Sequence, residues 1–206
     1  MAKIIKLTEN QFVEMIGYHG SGADFDKFNH KKYLNSGAGS QSFGWGTYIT
    51  NDRYVALGYT DTTKTDQAFL YEVEIPDDNG QNYLEYNAYM RPDEKKRILD
   101  KAKEIERRFN FKFNDGFYSY LNNGDDGSVS IGLNNEGATV NWMYYLLSKN
   151  LGSEKAASLF LIQCGFDGFK YPAGTRWKKP ERASENAYNY VIFDASKVKI
   201  IDKLIV

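Results

Sequence analysis

Residues 68–76, AFLYEVEIP, set Phe69, Tyr71, Val73 and Ile75 on one side of an extended chain and close with Pro76. A period of two built from aromatic and β-branched residues predicts a strand with one buried face. The terminal stretch YNYVIFDASKVKII predicts two more strands around a DAS turn. Helical sequence lies between. RPDEKKRILDKAKEIERRF has a proline at a helix start and apolar residues at Ile98, Leu99, Ala102 and Ile105. TVNWMYYLLSKN and SEKAASLFLIQCG predict two further helices, with Thr139 and Ser153 as N-caps and Gly152 and Gly165 at their ends. Residues 113–138, rich in Asn, Gly and Asp, read as an irregular loop. Strands at both ends with inserted helices predict one α+β domain over residues 1–206, the insertion falling at about 87–165.

At 206 residues the chain is long enough for one well-buried core. Its 16 Tyr and 13 Phe supply many flat, stackable surfaces. The net charge of −1 announces no nucleic-acid or membrane partner in bulk, so any basic site must be local. Cys164, the single cysteine, rules out an intramolecular disulfide and a cysteine-rich zinc site, and its apolar surroundings in sequence make it a core filler. The start MAKIIKLTENQF has no long apolar stretch or small-residue cleavage site, and no apolar run approaches bilayer length. A cytoplasmic protein without a membrane partner is the expectation.

Three segments carry candidate chemistry. YHGSG, residues 18–22, predicts a strand running into a Gly turn, and it holds one of only two histidines. By itself His19 reads either as a turn histidine or as a ligand contact. SFGWGTYITNDRYVALGYT, residues 42–60, places Gly44 and Gly46 around Trp45 before an alternating strand, where another backbone or a ligand can come close. NDRYVALGYT predicts a short helix. Tyr48 and Tyr59 stand eleven residues apart, and a turn plus that helix would let both rings clasp a flat heteroaromatic ring. ENAYNYVIFD, residues 185–194, is a strong strand preceded by polar residues.

In this order, YHGS, FGWGTY with its second Tyr, and a terminal YVIFD strand resemble the ADP-ribosyltransferase superfamily. Within it the pattern is similar to the His–Tyr branch, which is diphtheria-toxin-like and poly(ADP-ribose)-polymerase-like. The likeness covers residues 16–75 and 185–201 and extends to domains of phage, mobile-element and defence proteins. It implies a split β-sheet core with inserted helices. NAD would be consumed as a co-substrate, and no metal would be needed because nicotinamide leaves from a positively charged state. It also implies residue roles. His19 would hydrogen-bond a hydroxyl of the adenosine ribose, with Ser21 assisting. Gly20 would hold the nicotinamide carboxamide by its backbone, and Tyr48 and Tyr59 would sandwich the ring. Displacement at the anomeric carbon passes through an oxocarbenium-like state that the enzyme must stabilise.

The chain departs from the pattern at two positions. Where the superfamily places a Glu before the last motif strand stands Asn189, whose amide accepts a hydrogen bond but cannot act as a base. Glu185, four residues upstream, is the nearest carboxylate that could compensate. A Ser that helps hold nicotinamide in the polymerases corresponds to Ala56, so single transfer is expected rather than chain growth. KYPAGTRWKKPER, residues 170–182, interleaves Lys170, Arg176, Lys178, Lys179 and Arg182 with Tyr171 and Trp177 against only Glu181, a composition that suits single-stranded nucleic acid. A protein acceptor stays open, as does a module that binds NAD or ADP-ribose without turnover. The resemblance further implies a toxin of a toxin–antitoxin or anti-phage system, with an antitoxin or inhibitor protein as partner.

Overall fold

The computed structural model describes residues 15–29, 42–60, 67–123, 137–175 and 179–206. Among these, seven strands form one sheet: β1 (Met15–Ser21), β2 (Thr47–Thr50), β3 (Phe69–Ile75), β4 (Tyr83–Glu85), β5 (Gly168–Pro172), β6 (Tyr188–Ile192) and β7 (Lys199–Ile205). Their spatial order is β4-β5-β6-β2-β1-β3-β7, antiparallel throughout except for the parallel pair β4–β5. The described helices are α1 (Arg53–Leu57), α2 (Pro92–Arg108), α3 (Asp115–Asn123), α4 (Val140–Leu151) and α5 (Glu154–Gln163). The expected α+β class is therefore what the chain has.

Strand alternation divides the core between the two faces. Phe169, Tyr171 and Val191 project toward the helices and pack with Ile98, Phe117, Met143, Leu147 and Phe160. Ile49, Tyr71, Val73, Ile75, Tyr190 and Ile192 project from the opposite face, where Phe28, Ala195 and Val198 cover them. Each large side chain of this kind contributes about 1.5–3 kcal/mol on burial. Cys164 lies in the helical core as expected, and burial pushes its thiol up to about 12, which keeps it protonated and unreactive.

Local signals explain most element ends. Ser153 Oγ accepts from Ala156 N–H at 3.1 Å and starts α5, while Gly152 ends α4 at φ +82. Thr139 stands at the N-cap of α4, but its hydroxyl bonds Asn141 and Tyr120 and does not cap the helix. Two elements depart from the sequence expectation. Within the segment read as an irregular loop, residues 115–123 form α3, because Phe117, Tyr120 and Leu121 make one apolar face that the helical core absorbs. Residues 124–136 lie outside the described residues. YHGS also belongs to strand β1 through Ser21; the Gly turn expected there is displaced by seven consecutive pairs with β3, from Met15↔Ile75 to Ser21↔Phe69.

Candidate active site

The sheet is thinnest at the join of β1 and β2. These strands share one registered pair, Tyr18↔Thr50, and the ladder does not continue to Gly20 and Tyr48. A side chain bridges the gap. His19 Nδ1 lies 2.8 Å from the carbonyl oxygen of Tyr48. A carbonyl only accepts, so Nδ1 carries the proton and Nε2 is left as an acceptor. Nε2 has no partner among the described residues. Phe28 meets the His19 ring edge-on at 5.1 Å, with Phe25 and Tyr71 also against it. Burial holds the His19 pKa below its ordinary 6.5, so the ring is neutral at pH 7.

Gly20 follows in the same strand. A Cβ there would stand 2.0 Å from the carbonyl oxygen of Ala56, so α1 packs directly on the glycine backbone. Ser21 Oγ accepts from Ala23 N–H at 3.0 Å and closes the turn after β1. Its own proton stays available for donation.

Tyr48 stands on the helical face, half-buried. Its hydroxyl donates to the Gly44 carbonyl at 2.8 Å and accepts from Phe43 N–H at 3.1 Å. Gly44 takes φ +101, a conformation that favours glycine. The approach that Gly46 permits is made by another backbone, because a Cβ there would meet the Ile192 carbonyl oxygen at 2.7 Å. Burial raises the Tyr48 phenol pKa far above its ordinary value, so this residue works as a neutral donor and a flat face. Tyr59 stands after α1 as a residue 47% exposed, and no ring among the described residues stacks on it or on Tyr48.

Asn189 is paired with Thr50 on one side and Tyr171 on the other, on the same face as Tyr48. The residue is only 8% exposed, yet its amide makes no hydrogen bond among the described residues. Glu185 lies on an exposed turn before β6. That turn is tied to α1 by Asp52, whose Oδ1 accepts from Tyr54 and Val55 N–H at 2.9 and 3.1 Å and whose Oδ2 accepts from Ser184 N–H at 2.7 Å. Asn51 Oδ1 adds a bond from Tyr188 N–H at 2.8 Å. Lys179, expected to face an acceptor, donates instead to the Ser184 carbonyl at 2.8 Å and closes its own loop. Arg176, Trp177 and Lys178 lie outside the described residues.

The structure therefore brings His19 and Tyr48 together directly and sets Asn189 on the next strand. It does not gather everything on one face. His19 projects from the face opposite Tyr48 and Asn189, so a ligand touching all three must lie through the β1–β2 gap. Nothing in the sequence pattern marks Asn51 or Asp52 as site residues, and that pattern marks Tyr171 only as an aromatic of the basic segment 170–182. An N-cap signal at Asp52, ahead of a short helix, was there to be read. Tyr171 alternates with Phe169 in a strand that its basic neighbours obscured.

Two concavities among the described residues lie elsewhere. One of about 320 Å³ is bounded by Asn82, Asp93 and Arg97, and one of about 60 Å³ by Tyr83, Glu94 and Lys170. Neither includes a candidate site residue. No cluster of three or more His, Cys, Asp or Glu among the described residues is disposed to hold a metal, and no described helix is long and apolar enough to cross a membrane. Compared with known proteins, the chain matches no family model, no curated protein and no solved structure.

Proposed function

We propose that the chain is a mono-ADP-ribosyltransferase that cleaves NAD, releases nicotinamide and transfers ADP-ribose to a macromolecule. The carrying observation is the bond from His19 Nδ1 to the Tyr48 carbonyl across the one-pair join of β1 and β2. It joins two of the three ordered motifs at a place where the sheet all but divides, as a split-sheet ADP-ribosyltransferase core would. The donor set suits NAD. Nε2 of His19 is an acceptor for a ribose hydroxyl, Tyr48 and Tyr59 present flat faces, and Asn189 is a buried residue whose amide has no hydrogen-bond partner among the described residues.

Bound NAD supplies the chemistry itself, a cationic leaving group on an anomeric carbon. His19 binds a ribose hydroxyl, and Asn189 accepts from the hydroxyl next to the reacting carbon, orienting it without taking a proton. No carboxylate stands at Asn189, so the site favours an acceptor that is already nucleophilic, and the basic, aromatic segment 170–182 favours a base of RNA or single-stranded DNA. A toxin held by an antitoxin or inhibitor protein is the biological setting this implies. A second reading, binding of NAD or ADP-ribose without turnover, rests on the same uncharged Asn189.

Incubation with adenylate-labelled NAD and cell extract tests this. Nicotinamide release with nuclease-sensitive label is expected. Protease-sensitive label would move the acceptor to protein, binding without turnover would leave only the second reading, and no binding would sink both. The exposed position of Glu185 gives a related expectation. Glu185→Gln should keep transfer within about threefold of wild type, whereas Asn189→Ala should lose at least tenfold, the scale of one buried hydrogen bond. Single-turnover rates decide it, and the reverse order would assign the third position to Glu185.

A further inference from the structure

We propose that Tyr171 on β5 is a further substrate-binding residue of this site, its hydroxyl bonding the nicotinamide-side ribose next to the hydroxyl that Asn189 holds. The inference rests on the NAD reading and adds a residue that no motif supplied. Tyr171 and Asn189 are a registered pair on adjacent antiparallel strands, so their side chains leave the same face with Cβ atoms about 5 Å apart. Tyr171 is 4% exposed and Asn189 8%, yet neither polar group has a hydrogen-bond partner among the described residues. Such groups are normally paired.

Two polar groups standing side by side on one face of the sheet, neither with a partner among the described residues, are a place for vicinal hydroxyls. Each offers both donor and acceptor capacity, as each hydroxyl of a diol requires.

The ring of Tyr171 is fixed from behind. Phe43 stacks on it at 3.9 Å and 17°, and Phe43 is in turn met edge-on by Tyr86 at 5.2 Å. Phe43 N–H also bonds the Tyr48 hydroxyl, so one loop residue holds the rings of Tyr171 and Tyr48 in a common wall. Burial raises the Tyr171 phenol pKa, and the nearby phenols of Tyr48 and Tyr59 raise it further, so its proton is available for donation at any working pH.

Tyr171→Phe removes the hydroxyl and keeps the ring that Phe43 stacks on. Calorimetric titration of wild type and variant with NAD, and separately with nicotinamide, tests the assignment. Affinity for NAD is expected to fall about tenfold, affinity for nicotinamide to be unchanged, and the melting temperature to stay within about 2 °C. Unchanged NAD affinity in the variant would overturn the role of Tyr171 and leave the NAD reading intact. An equal loss for NAD and nicotinamide would move the hydroxyl to the ring and overturn the ribose assignment. A large fall in melting temperature would mean that the hydroxyl has a structural partner, with the same consequence. Wild-type protein that binds neither probe would fail the NAD reading itself, and the proposal with it.

Discussion

Gly20→Ala is expected to lower the melting temperature by roughly 10 °C, from overpacking that costs about 3 kcal/mol. The new methyl would sit 2.0 Å from the Ala56 carbonyl oxygen, which is backbone and cannot rotate away. Relief would require α1 to lift. That helix is pinned at its start by Asp52, which bonds Tyr54, Val55 and Ser184 N–H together, so lifting it also disturbs the turn before β6. The neighbouring control, Ser21→Ala, loses only the bond from Ala23 N–H and should cost no more than about 1 kcal/mol. Thermal unfolding of the three proteins decides the matter. A Gly20→Ala protein as stable as wild type would mean that α1 does not rest on β1. The clash also gives Gly20 a packing reason of its own. Loss of activity in this variant would therefore not by itself argue for the carboxamide contact that the resemblance implies.

His19→Ala is expected to reduce the proposed ADP-ribose transfer about a hundredfold or more, since it removes both the proposed ribose contact and the bridge across the β1–β2 join. Stability should fall by about 1–3 kcal/mol, because the Tyr48 carbonyl loses its donor. The pH dependence follows from the same ring. Nε2 accepts only while the imidazole is neutral, and burial holds its pKa below 6.5 in the folded protein. NAD affinity should therefore be level from pH 8 to about 6.5 and still hold somewhat below that, falling only once the folded-state pKa is passed. Linkage gives stability the same sense. Below 6.5 the unfolded chain binds a proton that the folded one refuses, so this histidine costs stability as pH falls and nothing above 6.5. Titration of wild type against His19→Ala isolates both effects. Transfer by the variant within tenfold of wild type would remove His19 from the site.

Much of the architecture was legible in the residues. The alternation of Phe69, Tyr71, Val73 and Ile75 specified β3, and the Ser153 cap with the left-handed Gly152 marked the boundary between α4 and α5. Helix α3 was not, because Asn, Gly and Asp dominate its surroundings, and it is burial of Phe117, Tyr120 and Leu121, with Asn114 Oδ1 accepting from Phe117 N–H at 2.8 Å, that stabilises the helical state. β5 was hidden in a similar way, by the lysines and arginines that follow it.

For the site, local chemistry singled out His19, Tyr48 and Tyr59, because rare or special residue types next to strand patterns are visible without coordinates, and the family resemblance added Gly20 and Asn189. Which groups they meet was not visible. The His19 bond to a carbonyl 29 residues away, the carbonyl pressed on Gly20, and the Tyr171–Asn189 pair are all long-range contacts created by strand order. Periodicity reports which face of an element is buried, whereas strand register and crossover order depend on the whole set of packed elements. The sequence by itself determined most element types, α3 and β5 excepted, and the chemistry available. The tertiary structure alone decided that β1 and β2 part after a single pair, and which side chains stand where they do.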